Sequence, residues 1–164
     1  MKIDVSVAIE YLVENEGLKI PHEIAPWSSS NSEPHLFTEA EWNSYAWNPV
    51  PEEPHLGLDP EAHAKPSWER LLVALEAAPV AKLKEELRLR IDNEVTHNRI
   101  PQAYGQDTTQ QEILFRLSGR HTPEQDAERD RLRAVAQVLK DVVEASLTIE
   151  ALQTIDPEED STWS

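Results

Sequence analysis

The chain contains no cysteine, which excludes disulfides and thiolate metal ligands and leaves the redox compartment open. Glycine is nearly as scarce: Gly17, Gly57, Gly105 and Gly119 are the only four in 164 residues. Glycines so far apart make neither a phosphate-cradling loop nor a dinucleotide fingerprint, and no Gly-x-Ser-x-Gly nucleophile turn is present. No apolar run approaches the roughly 20 residues that span a bilayer. The opening stretch is interrupted by Asp4 and Glu10, so it lacks the apolar core of a signal peptide. Basic residues are also short, 15 against 31 acidic, for a formal charge of −16. That field repels phosphate backbones, so direct nucleic-acid binding is not expected.

The charge is unevenly placed. Residues 1–66 hold 3 basic and 12 acidic residues, residues 67–155 hold 12 and 15, and residues 156–164 hold none and 4. Hydrophobic content is 39% with a mean hydropathy of −0.57. This is low for a packed globule and too high for a disordered chain, so a modest core is expected.

Asp4 precedes Val5, Ala8, Ile9, Leu12 and Val13, and Gly17 follows, which predicts a capped helix over 4–16; alternation of Val5, Val7 and Ile9 gives a short strand as the alternative. Residues 18–66 carry eight of the twelve prolines and predict an extended Pro/Trp-rich arm. One short helix, 38–47, interrupts it, opened by the capping box Thr38-Glu39-Ala40-Glu41. From Ser67 the chain reads as a helical body to residue 153, followed by an acidic tail, 154–164. Ser67 caps a first helix, and Pro79 is expected to start a second that runs to about His97. Asp107, Thr108 or Thr109 caps the next, and Thr122-Pro123-Glu124-Gln125 is a full helix start. Leu132, Val135, Leu139 and Val142 then recur at 3-4-3 spacing, the pattern of a short coiled-coil seam. Thr148 starts a last short helix. The fold class is mainly α: a small helical bundle or hairpin with an N-terminal arm.

The candidate chemistry is thin. His22, His35, His55, His63, His97 and His121 form no i, i+4 pair on a helix and no His-Glu-x-x-His, so no metal is expected. Asp156, Glu158, Glu159 and Asp160 offer oxygen ligands but lack the glycine turn and closing glutamate of a calcium loop, and read as a solvated tail. Arg129, Arg131 and Arg133 alternate with Asp126, Glu128 and Asp130, which predicts an internally neutralised helix face rather than a phosphate site. Carboxylates on exposed helix faces have no claim to acid–base work, so no enzyme and no cofactor are expected. The aromatic residues stand out: five tryptophans against two phenylalanines. Trp27, Trp42, Tyr45, Trp47 and Trp68, with the seam Leu132, Val135, Leu139 and Val142, are the candidate interaction residues, against packing of the same rings onto the chain's own helices.

Two segments carry a resemblance. Thr38, Glu39, Glu41, Tyr45 and Trp47, followed by Lys65-Pro66-Ser67-Trp68, resemble short accessory proteins encoded with bacteriophage tail genes. Arg99-Ile100, Ala103-Tyr104-Gly105, Glu112-Ile113, Arg116-Leu117, Thr122 to Ala134, and Asp156-Pro157 with Trp163 are similar to the C-terminal half of siphophage and prophage tail proteins. The resemblance implies a structural component of the tail, tail tip or baseplate region, made in the host cytoplasm and located in the virion. Its partners would be other tail proteins and further copies of itself, as a trimer or hexamer. A tail-assembly chaperone absent from the particle is the first alternative. An acidic inhibitor of a host DNA-handling enzyme is the second.

Overall fold

The computed structural model describes residues 1–20, 35–47 and 64–163, and the chain is mainly helical. Its contacts divide it into two units, Met1–Pro79 and Val80–Ser164.

Unit 1 begins with β1 (Ile3–Asp4), α1 (Val5–Glu16), β2 (Leu36–Phe37) and α2 (Glu39–Ser44). Asp4 accepts the Ser6 backbone N–H at 3.0 Å and so caps α1; Gly17, at φ +70°, ends it, with the Leu18 N–H returning to the Leu12 carbonyl. The helix, not the alternating strand, is therefore what this stretch forms. Only Ile3 and Asp4 are extended, paired antiparallel with Phe37 and Leu36. Thr38 and Glu41 close the expected capping box at the start of α2.

The described part of the expected arm folds back rather than extending. Trp42 is fully buried, and Trp47 and Trp68 are buried beside it, with Val5, Ile9, Leu12 and Leu71. The ring of Tyr45 stacks on Trp42 at 5.9 Å, and Phe37 meets both edge-on. The Trp42 indole N–H donates to the Pro66 carbonyl at 2.9 Å. Lys65 Nζ donates to the carbonyls of Trp42 and Tyr45 at the end of α2, where the helix dipole favours a cation. The aromatic cluster has two polar anchors in residues 65–66, and this links the proline-rich stretch to the unit's core.

The helix that starts after Ser67, α3, runs unbroken from Trp68 to Asn93. Pro79 lies inside it and does not begin a second helix. The loss of one N–H and the ring's conflict with the Leu75 carbonyl are local, and good helix formers on both sides carry the helix through; the boundary between the two units falls at this residue.

In unit 2, α3 passes into a π-helical turn, Glu94–Arg99, in which the Ile100 N–H reaches back five residues to the Val95 carbonyl. There follow α4 (Ile100–Ala103), α5 (Thr109–Leu117), α6 (Pro123–Ala145), α7 (Ile149–Gln153) and a 3₁₀ turn, Asp160–Trp163. Thr108, Thr122 and Thr148 cap α5, α6 and α7, and Gln125 completes the capping box of α6. The core gathers Leu87, Ile91, Val95, Ile100, Tyr104, Leu132, Ala136, Val143, Leu152 and Trp163.

The seam of α6 is shifted from the expected one. Leu132, Ala136 and Val143 are buried with Leu139 beside them, whereas Val142 is 47% exposed. The 3-4-3 spacing becomes 4-3-4, and the stripe packs within unit 2.

Candidate interaction site

Unit 2 buries two of its charged residues, Glu94 and Glu112, and leaves some of its apolar ones outside. On α5, Glu112 is only 3% exposed and pairs with Arg116 one turn later at 3.2 Å. The Arg116 guanidinium lies 6.0 Å from the Tyr104 ring. α5 packs against α4 and the π turn, so its charged side faces the body. Phe115 packs on the core and meets the Tyr104 ring edge-on at 6.3 Å, but the other apolar residues face out: Ile113, Leu114 and Leu117 are 46%, 60% and 79% exposed. Burying a leucine fully is worth about 1.5–3 kcal/mol, so a helix set this way round forgoes stabilisation its own chain could have had.

The π turn holds a polar hub. Glu94 is buried and accepts from Arg99 Nε at 2.6 Å and from Asn98. Arg99 also reaches Asp160 and the Glu158 carbonyl, and its guanidinium lies 5.8 Å from the Trp163 ring. On α3, Arg90 pairs with Glu158 at 3.0 Å. Trp163 is buried, donating its indole N–H to the Pro157 carbonyl at 2.7 Å, and Arg131 donates to the Trp163 carbonyl. The acidic segment 156–163 is therefore docked, where a solvated tail was expected. Two arginines, 60 and more residues away in sequence, supply the complement that its own composition conceals.

A second polar group sits at the start of α6. Asp126 accepts from Tyr104 Oη at 2.5 Å and lies 3.3 Å from His121 Nε2 and 3.6 Å from Arg129. The Tyr104 hydrogen bond above all, with the nearby His121 and Arg129, holds the Asp126 carboxyl below its ordinary range. A carboxyl lowered in the folded state stabilises it above the unfolded-state value of about 3.9 and loses that contribution as pH falls through the folded value. Tyr104→Phe is expected to raise the Asp126 pKa toward the ordinary range and to move the acid-unfolding limb to higher pH. An NMR titration of the Asp126 carboxyl carbon in both proteins checks this; an unmoved titration would remove Tyr104 as the main cause.

Of the residues singled out in the sequence, Trp42, Trp47 and Trp68 lie in the core of unit 1, and Tyr45 packs against it. Leu132 lies in the core of unit 2, Val135 and Leu139 pack against it, and Val142 is half exposed. Trp27 lies outside the described residues. Arg129 and Arg131 are paired with Asp130 and Glu128 at 2.8 Å each, as the neutralised-face reading expects, whereas Arg133, the third arginine of that face, has no ion-pair partner among the described residues. The exposed face of α5 was missed: periodicity shows that Ile113 and Leu117 share a side but not which way that side turns. Among the described residues, no three histidine, aspartate or glutamate side chains gather as a metal site, and no helix is long and apolar enough to cross a membrane. A shallow cleft of about 450 Å³ in unit 1, lined by Met1, Thr38, Glu39, Ala40, Asn43 and Trp68, brings together only one carboxylate.

No family model matches the chain, and no curated protein or solved structure was found to be similar to it.

Proposed function

We propose that this chain is a structural component of a bacteriophage tail, in the tail, tail tip or baseplate region, and that it works through protein–protein contact rather than catalysis. The observation that carries the reading is α5, which buries Glu112 and turns Ile113, Leu114 and Leu117 outward. A helix arranged in this way suits a subunit completed by its neighbours. The resemblance of residues 38–75 and 99–163 supplies the setting, with other tail proteins and further copies of the chain, as trimer or hexamer, as the partners.

The test is peptide mass spectrometry with copy counting on gradient-purified particles of a phage that encodes the chain. The expected result is several copies per particle, in a multiple of three or six. Absence from particles together with abundance in the infected lysate would overturn it in favour of an assembly chaperone.

A further inference from the structure

We infer that α3 is jointed at Pro79, and that its two halves swing about this residue as separate rods, each fixed to its own core. The inference does not rest on the placement of the chain in a tail.

The joint begins in the backbone. Pro79 has no N–H to offer the Leu75 carbonyl one turn back, and its ring crowds that same carbonyl. Sharp bends in helices gather at such prolines. Trp68–Asn93 holds no second proline and no glycine, so no other turn of α3 is weakened in this way.

Packing divides at the same place. Trp68, Leu71 and Ala74 are buried in the core of unit 1, with Leu75 against it. Leu87 and Ile91 are buried in the core of unit 2, with Val80 and Leu83 against it. Between Leu75 and Val80 no residue of α3 belongs to either core. Glu76 and Pro79 are exposed there, and the half-buried Ala77 and Ala78 bring only methyl groups.

The charged side chains follow the same division. Arg70 pairs with Glu16 of α1 at 2.8 Å, within unit 1. Within unit 2, Lys84 donates to the Glu144 carbonyl at 2.6 Å, Arg88 lies 3.7 Å from the Glu144 carboxylate, and Asp92 pairs with Lys140. Glu76 and Lys82 are the nearest charges on either side of the proline and stand six residues apart. A charge pair braces a helix at three or four residues, so none spans the joint.

A stiff rod would need the opposite, side chains that tie one side of the proline to the other. Without them the weak turn sets the stiffness of the whole helix, and bending opens it on the face where the hydrogen bond is missing. A joint of this kind lets one chain present its two units to neighbouring surfaces at an angle the surfaces decide.

The experiment is double electron–electron resonance on the full chain. It has no cysteine of its own, so two introduced cysteines carry the only spin labels. Val7→Cys with Leu147→Cys reports across the joint. Val7→Cys with Val73→Cys reports within unit 1, and Leu117→Cys with Leu147→Cys within unit 2. All four sites are exposed, so the labelled chains are expected to keep the wild-type helix content by circular dichroism. The cross-joint distance distribution is expected to be at least about twice as wide as the two internal ones, as hinge motion requires. Pro79→Ala and Pro79→Leu restore the N–H with good helix formers, and each is expected to narrow the cross-joint distribution to the internal width. A cross-joint distribution no wider than the internal ones would overturn the inference. So would a wide one that both substitutions leave wide, because the motion would then lie elsewhere than at Pro79.

Discussion

Trp42→Ala is expected to lower the free energy of unfolding by about 3–5 kcal/mol, the range for emptying a core site of a large aromatic ring. That is a large share of the 5–15 kcal/mol by which domains are ordinarily stable. The ring is fully buried, packs against Phe37, Tyr45 and Trp47, and sits 4.9 Å from Lys65 Nζ. Alanine removes all of these contacts and leaves the Pro66 carbonyl without its donor. Trp42→Phe separates the two contributions: most of the packing stays, the hydrogen bond is lost, and the cost should fall to about 1–3 kcal/mol for the orphaned acceptor. Urea unfolding of the three proteins gives the totals. Hydrogen exchange should place the loss in α1 and α2, which share the core of unit 1 with the ring. Loss of protection confined to α6 in Trp42→Ala would show that the aromatic cluster does not hold unit 1 together.

The helix starts were legible because capping is a local bargain between a side chain and the N–H groups two or three residues on. Asp4, Thr38, Thr122 and Thr148 each cap the helix expected of them, and of the three candidates Asp107, Thr108 and Thr109 it is Thr108 that caps α5. Outcomes that depend on distant partners were not legible. From Leu139, both Val142 and Val143 satisfy a helical repeat, one at three residues and the other at four, and only packing selects Val143. Pro79 reads as a first-turn proline, yet the helix runs through it, since the cost of a proline inside a long helix is paid by flanking turns that the local signal does not weigh. The tryptophans read equally as anchors for a partner or for the chain itself, and the Pro66 carbonyl, 24 residues from Trp42, decides for the latter at that ring.

The candidate site was legible only as its parts. Glu112 and Arg116, four apart, look like any exposed helix pair, and their burial follows from α5 packing on α4 and the π turn rather than from spacing. A further signal lay in the acidic segment itself: Pro157 and Trp163 flank the carboxylates, and a tryptophan closing a charged run is poorly accounted for by solvation alone. Arg90 and Arg99, the complement of those carboxylates, stand nine residues apart on α3 and the π turn.

How that segment is held leads to the second large effect. Trp163→Ala should cost about 3–5 kcal/mol, because the ring is 3% exposed in the core of unit 2 and its indole N–H and its face are both engaged. The ion pairs around it should matter far less. The Glu158 and Asp160 side chains are 68% and 92% exposed, and pairs so open to water contribute at most about 1 kcal/mol each. Glu158→Gln with Asp160→Asn should therefore shift the urea midpoint slightly, and 1 M salt should do little to the wild type. Limited proteolysis separates the two modes of anchoring: Trp163→Ala should open the peptide bonds near Asp156 to cleavage, while the double charge variant stays resistant. The reverse pattern, a resistant alanine variant and a labile charge variant, would mean that the arginines hold the segment and the tryptophan only follows. The expected order instead makes Trp163 a core residue of unit 2, joined to Ile91, Val95 and Leu132 in one cluster, with the carboxylates between Pro157 and Trp163 oriented by the arginines after the ring has docked.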